Sequence, residues 1–139
     1  MGLDMYLYAR KHFWRDEDKP KVNDIPEGYE PWSVDVKVLY WRKANAIHQW
    51  FVDNVQDGID NCQEYYVRRE QLESLRNLCI EVLDGAPPED RLPTKSGFFF
   101  GSTEYDQGYR DDLHQTVIGI DRALTDFNDE WEFRYSSSW

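Results

Sequence analysis

The densest chemistry in the sequence is Tyr40-Trp41-Arg42-Lys43-Ala44-Asn45-Ala46-Ile47-His48-Gln49-Trp50-Phe51, where aromatic, cationic and amide groups mix as an extended run passes into a helical one. The first N–H groups of a helix lack intrahelical partners and carry the positive end of its dipole. With Arg42, Lys43 and Asn45 beside them they can converge on one anion, and Trp41 is available for stacking. The plainer reading puts Trp50 and Phe51 in the core and pairs the two cations with acidic neighbours. A second run, Gly97-Phe98-Phe99-Phe100-Gly101-Ser102-Thr103, superficially suggests a phosphate loop. It lacks the GK[ST] ending and is filled with phenylalanine, which sets a nucleotide P-loop aside. It reads either as a hydrophobic strand with glycine at both ends, or as a place where the glycines let backbone approach a ligand while a phenylalanine stacks on it. The candidate ligand-binding set is therefore Trp41, Arg42, Lys43, Asn45, His48, Phe98, Phe99 and Phe100.

For a metal, the candidate is the turn after residue 52. As a twelve-residue calcium loop it has Asp53 at position 1, Asp57 at 5, Gly58 at 6 and Glu64 at 12, the ligand and turn positions such a loop needs. Val55 has no oxygen for position 3, Asp60 stands where a hydrophobe belongs, and Tyr65-Tyr66-Val67 leaves no room for an exiting helix. An acidic helix end with an Asp-Gly turn explains the same residues. Cys62 and Cys79 form no CxxC and have no histidine cluster nearby, so zinc is not indicated and no cofactor is expected. Two free thiols fit a reducing compartment. His12, His48 and His114 are far apart, and His48 is expected to be a surface or half-buried residue. Asp111 and Asp112 diverge by about 100° on a helix and make no acid/base pair by themselves. No catalytic set emerges.

Around these residues the chain supplies simple elements. Residues 3–9 alternate Leu3, Met5 and Leu7 against Asp4, Tyr6 and Tyr8, the period of a strand with one buried face. Residues 15–32 are charged or turn-forming and predict a long loop, a kind that tends to be functional or mobile. Residues 33–41 alternate Val34, Val36, Val38 and Tyr40 against Asp35, Lys37 and Leu39, a second strand able to pair with the first as a long hairpin. Helical spacing follows over 43–55, then a short strand at 65–68. A helix over 69–83 carries the stripe Leu72, Leu75, Leu78, Cys79 and Val82 and stops at Asp84-Gly85. Residues 97–101 are expected to form a short strand or a buried loop edge, 109–127 a third helix, and 131–135 a last strand. The order predicts one α+β domain over 1–139, a mainly antiparallel sheet with about three helices packed on one face.

The 139 residues carry 16 Lys plus Arg against 27 Asp plus Glu, a formal charge of −11. Residues 1–43 hold eight of each sign, so the whole excess belongs to residues 44–139. Such a chain repels phosphate, which excludes direct nucleic-acid binding as a general function. No apolar run approaches the roughly 18 residues of a membrane span, and the first residues lack the basic-then-apolar order of a signal peptide, so a soluble, cytoplasmic protein is expected.

Three blocks carry a resemblance: the start Met1-Gly2-Leu3-Asp4-Met5-Tyr6, the segment Tyr40 to Trp50 (YWRK-N-x-IH-x-W), and Gly97 to Ser102 (GFFFGS), with an aromatic close at Trp139. They resemble a family of small proteins of bacteriophages and bacterial genomes, many of them prophage-borne. The likeness runs end to end and is loose outside the blocks. It implies no established activity. Some members carry a phosphoglycerate kinase label, which a single domain of 139 residues without a nucleotide loop is too small to justify. Small acidic phage proteins often act by occupying a host protein, so the resemblance implies a non-enzymatic binding protein in the host cytoplasm. Its expected partner is a host or defence protein with a basic surface, possible inhibition being the consequence. The alternative is a small-molecule binder that sequesters a nucleotide-derived signal, and a small enzyme ranks last.

Overall fold

Along the first strand every second side chain is buried, and that alternation sets the architecture. In the computed structural model, which describes residues 2–19 and 23–139, β1 (Asp4–His12) buries Met5, Leu7 and Ala9 and turns Asp4, Tyr6, Tyr8 and Arg10 outward. It lies between β2 (Ser33–Arg42) and β4 (Glu132–Ser138), and the short β3 (Tyr65–Val67) adds to β4. The sheet order is β2-β1-β4-β3 and every pair is antiparallel. The helices α1 (Asn45–Asn54), α2 (Arg69–Leu83), the short α3 (Pro88–Arg91) and α4 (Gln107–Asp126) complete the chain. Phe51 of α1, Leu72 and Leu75 of α2, and Leu113 and Ile120 of α4 share one core with Met5, Leu7, Phe133 and Tyr135 of the sheet. This is the α+β fold that the sequence predicts. Among the described residues no helix is long and apolar enough to cross a membrane.

Three local expectations are corrected or refined. The predicted second strand has its inner and outer faces exchanged over its last residues. Opposite Leu7 and Tyr8 of β1, which pair with Leu39 and Lys37, Val38 is an extra residue of β2, and this bulge shifts the register so that Leu39 and Trp41 face the core and Tyr40 faces out, whereas simple alternation placed Tyr40 with the valines. Of the two expectations for residues 97–101, the strand is absent and a loop edge is present: the segment turns, Phe100 N–H donating to the Gly97 carbonyl at 3.1 Å, with Phe100 buried and Phe98 exposed. The third long helix begins at Gln107, because the Asp106 carboxylate caps it by accepting from Tyr109 N–H at 3.0 Å. The expected 15–32 loop contains a single helical turn at Asp16–Asp18, and its positions 20–22 lie outside the described residues, as does Met1.

Where α4 crosses β2, Gly119 has no room for a side chain. A Cβ there would stand 2.3 to 2.7 Å from the Leu39 side chain, including its branch carbon. Gly119→Ala is therefore expected to cost about 1–3 kcal/mol by overpacking, read as a fall in melting temperature, whereas Gly108→Ala at the exposed start of the same helix should be far milder. Equal tolerance at both glycines would contradict this crossing.

Candidate functional site

The three blocks singled out by sequence meet in space. Asn45, at the first turn of α1 and nearly fully buried, uses its whole amide: Nδ2 donates to the carbonyls of Phe100 (3.0 Å) and Ser102 (2.8 Å), and Oδ1 accepts from Lys95 N–H (2.9 Å). Leu3 N–H donates to the Phe99 carbonyl at 3.0 Å, and the Leu3 carbonyl accepts from Lys43 N–H at 2.7 Å. Lys43 makes the strand-to-helix corner with φ +56°, and Gly101, at φ +82°, passes so close that an added Cβ would lie 3.1 Å from Lys43 Cβ. Gly97 is equally constrained, since its Cβ would meet the Phe100 ring at 2.8 Å. The glycines of the second block thus serve an internal approach: the segment straps over the start of α1.

The candidate binding residues accordingly divide. Trp41 is buried, its indole N–H donating to Thr116 Oγ1 at 2.8 Å. Arg42 is exposed and pairs with Asp4 at 3.1 Å. Phe100 lies against the His48 ring, edge to face at 5.4 Å, Phe99 is half-buried, and Phe98 is 93% exposed. Lys43 is exposed, and among the described residues no carboxylate lies within ion-pair distance of it.

His48 is fully buried, which corrects the expected surface or half-buried placement. The reason is a polar relay assembled from distant segments. Nδ1 lies 2.6 Å from the Tyr135 hydroxyl and Nε2 lies 3.0 Å from Asp60 Oδ2, while Asp60 Oδ1 accepts from the Trp139 indole at 3.0 Å. With Nε2 protonated, it donates to the carboxylate and Nδ1 accepts from the tyrosine. Burial lowers the imidazole pKa against the opposing pull of Asp60, and burial raises that of Tyr135, so both are neutral at pH 7. Hydroxyl, imidazole and carboxylate stand in a triad's order. The hydroxyl, however, belongs to a fully buried tyrosine stacked flat on Phe51 at 3.8 Å, where no reacting atom can reach it.

Beside the strap lies a cleft of about 280 Å³, walled by Arg42, Lys43 and the first residues of α1 on one side and by Asp106, Tyr109 and Asp112 of α4 on the other. Tyr109 is committed, its hydroxyl donating to the Leu92 carbonyl at 2.7 Å. Asp112 is not: its backbone carbonyl accepts from Thr116 Oγ1, but no described residue donates to its carboxylate. Burial, reinforced by Asp111 and Asp106, raises that carboxyl to about 6. Sequence reasoning passed Asp112 over because it looked only for a pair with Asp111. The usable signal was its spacing, since Asp112 stands with Tyr109, Leu113 and Thr116 on the inward stripe of α4.

A raised carboxyl pKa means that the folded state holds the proton more tightly than the unfolded one. Asp112 therefore adds stability below its ordinary value of 3.8, and that contribution is lost as the pH rises through about 6. Asp112→Asn is expected to stabilise the fold at pH 7 by about 1–2 kcal/mol after allowing for solvent screening, with the advantage shrinking below pH 5. Thermal melts at pH 4.5 and 7.5 check both sign and trend.

The proposed calcium loop does not gather its carboxylates. Asp53 accepts from Gln49 at 2.8 Å, Asp57 sits in a left-handed turn at φ +54°, and Glu64 pairs with Arg10 at 2.7 Å on the sheet. Among the described residues no group of three or more His, Cys, Asp or Glu is arranged to hold a metal. Cys79 is a core residue whose thiol burial pushes up to about 12, Cys62 is half-buried, and His114 is exposed on α4.

Charge is sorted by layer. On the open face of the sheet each strand carboxylate has a cation: Asp4 with Arg42, Asp35 with Arg10, and Glu132 with Arg134. On the helical side Glu81, Asp121 and Asp126 pair with Arg91, Arg76 and Arg122, whereas Glu70, Glu73, Glu89, Asp90, Glu104 and Asp111 are exposed and none of these six pairs with a described cation. Comparison with protein-family models, with curated proteins and with solved structures finds no match for the chain.

Proposed function

We propose that the chain is a non-catalytic binding protein whose acidic helical layer docks on a basic protein surface, in the phage-type setting that the sequence resemblance implies, where a host or defence protein is the target. The sorting of charge by layer carries this reading. A sheet face with its ions neutralised gives little long-range field, whereas unpaired carboxylates around α2 and α4 attract a basic partner and orient it before contact. The groups that looked chemical in sequence support a binding role too, since Asn45, His48 and Trp41 spend their polar atoms holding the fold. Partner capture from bacterial lysate should weaken about tenfold between 0.05 and 0.3 M salt as screening shortens the field. It should also be lost when Glu70, Glu73 and Asp111 are changed to lysine. Capture indifferent to both treatments would rule the acidic layer out.

The cleft favours a second reading, a small-ligand binder. Lys43 and Asp112 are uncompensated charges on its opposite walls, suited to a ligand bearing an anion and a hydrogen-bond donor. Thermal shift against a nucleotide panel tests it. A stabilisation abolished by Lys43→Ala supports this reading, and a flat panel removes it.

A further inference from the structure

We infer that the Trp14–Trp32 corner, at the loop end of the β1–β2 hairpin, is a docking point for a basic segment of a partner protein and seats an arginine or lysine side chain against its indoles. Trp14 is 75% exposed and Trp32 68%, yet their rings lie only 5.9 Å apart at 75°, edge to face. Large exposed aromatics clustered at one spot mark an interaction site more often than scattered ones do. The pair is also held in place. Phe13, buried between β1 and Trp14 in sequence, donates its N–H to the Trp32 carbonyl at 3.1 Å, and the His12 ring stacks on Trp14 at 5.5 Å. The backbone is therefore anchored while both indoles stay mostly exposed, which limits the ordering cost of binding.

The surroundings select the occupant. Near the corner stand Asp16, Glu17, Asp18, Glu30, Glu130 and Glu132 against Lys11, Arg15, Lys19 and Arg134 among the described residues, and those four cations are already paired. Lys11 holds Glu130 at 2.9 Å, Arg15 holds both Glu17 and Asp18 at 2.9 Å, Lys19 holds Asp16 and Glu30, and Arg134 holds Glu132 at 2.8 Å, which leaves more carboxylates than cations at the corner. A surplus of carboxylate beside two electron-rich ring faces is the chemistry that attracts a guanidinium or ammonium and disfavours a phosphate. The inference rests on the acidic-binding reading only for the sign of the partner's charge. It adds a distinct anchor, built on the segments that flank β1 and β2 rather than on α2.

The test uses the full chain and a nine-residue Gly-Ser peptide carrying three arginines, compared with the same peptide carrying citrulline. The arginine peptide should shift the indole N–H signals of Trp14 and Trp32 and leave that of buried Trp41 in place. The citrulline peptide should bind at least about tenfold more weakly. Trp14→Ala and Trp32→Ala should each weaken the arginine peptide about three- to tenfold, and the double variant should abolish the indole-linked site. Unchanged affinity in the double variant overturns the inference, as does binding that shifts neither indole. Oligothymidylate that binds these indoles more tightly than the arginine peptide overturns it in favour of nucleic acid. Lysine substitutions at Glu70 and Glu73 should change peptide affinity at the corner by less than about twofold. Failure of the acidic-layer reading shows separately, as lysate capture indifferent to those substitutions.

Discussion

Asn45→Ala should lower the folding stability by about 3 kcal/mol, the combined cost of three lost hydrogen bonds whose partners stay largely shielded from water. For a chain of this length that is a fall of roughly 10 °C in melting temperature. The residue sits where β2 turns into α1, and its amide is matched to two carbonyls and one N–H of the strap. No other uncharged side chain of that size both donates twice and accepts. Asn45→Asp keeps the volume and the bond from Lys95 but faces the Phe100 and Ser102 carbonyls with a carboxylate, so it should be at least as harmful as alanine. Hydrogen exchange localises the effect: the amides of Leu3 and Lys95, which bond to or through the strap, should lose protection first. A variant within about 1 kcal/mol of wild type would mean that the strap is held by Phe100 packing and the Leu3–Phe99 hydrogen bond instead.

The strap also marks the boundary of what sequence reveals. Over residues 69–83 the expected helix and α2 coincide, because every signal is local: an apolar stripe at helical spacing and Gly85 at φ +116° just past the end. The segment 97–101 could not be read the same way. A run of three phenylalanines suits a strand as well as a turn, and the decision comes from Asn45, about 55 residues away. The face of β2 fails for a related reason. One bulge residue reverses the parity of everything after it, and nothing in Val34 to Tyr40 announces a bulge. Among the candidate binding residues, the Tyr40–Trp50 and Gly97–Ser102 blocks meet through Asn45, and residue type could not separate a ligand's hydrogen bonds from the fold's own. Exposed Trp14 and Trp32 were hidden in the opposite sense, since a charged loop disguises the aromatic residues at its two ends.

The same ambiguity is sharpest at His48, and it has a measurable consequence. His48→Ala should cost about 4 kcal/mol, from the cavity left beside Phe100 and Tyr135 and from a buried tyrosine hydroxyl without its acceptor. His48→Phe refills most of the volume and recovers only the packing part, so the difference between the two variants separates cavity from hydrogen bonding. The wild-type relay also gives stability a pH dependence of known sign. Burial depresses the folded-state pKa of His48 below its ordinary value of 6.5, so the unfolded chain binds the proton more readily. The histidine's contribution is thus complete above pH 6.5 and is lost as the pH falls from there through the depressed folded-state value. Asp112 acts oppositely over part of this range, gaining stability as the pH falls below about 6 and masking the histidine. In an Asp112→Asn background the mask is removed: the chain should lose stability more steeply with acid than wild type, and adding His48→Phe should flatten that slope. If the slope below pH 6.5 survives His48→Phe, the buried imidazole is not the group that acid must charge.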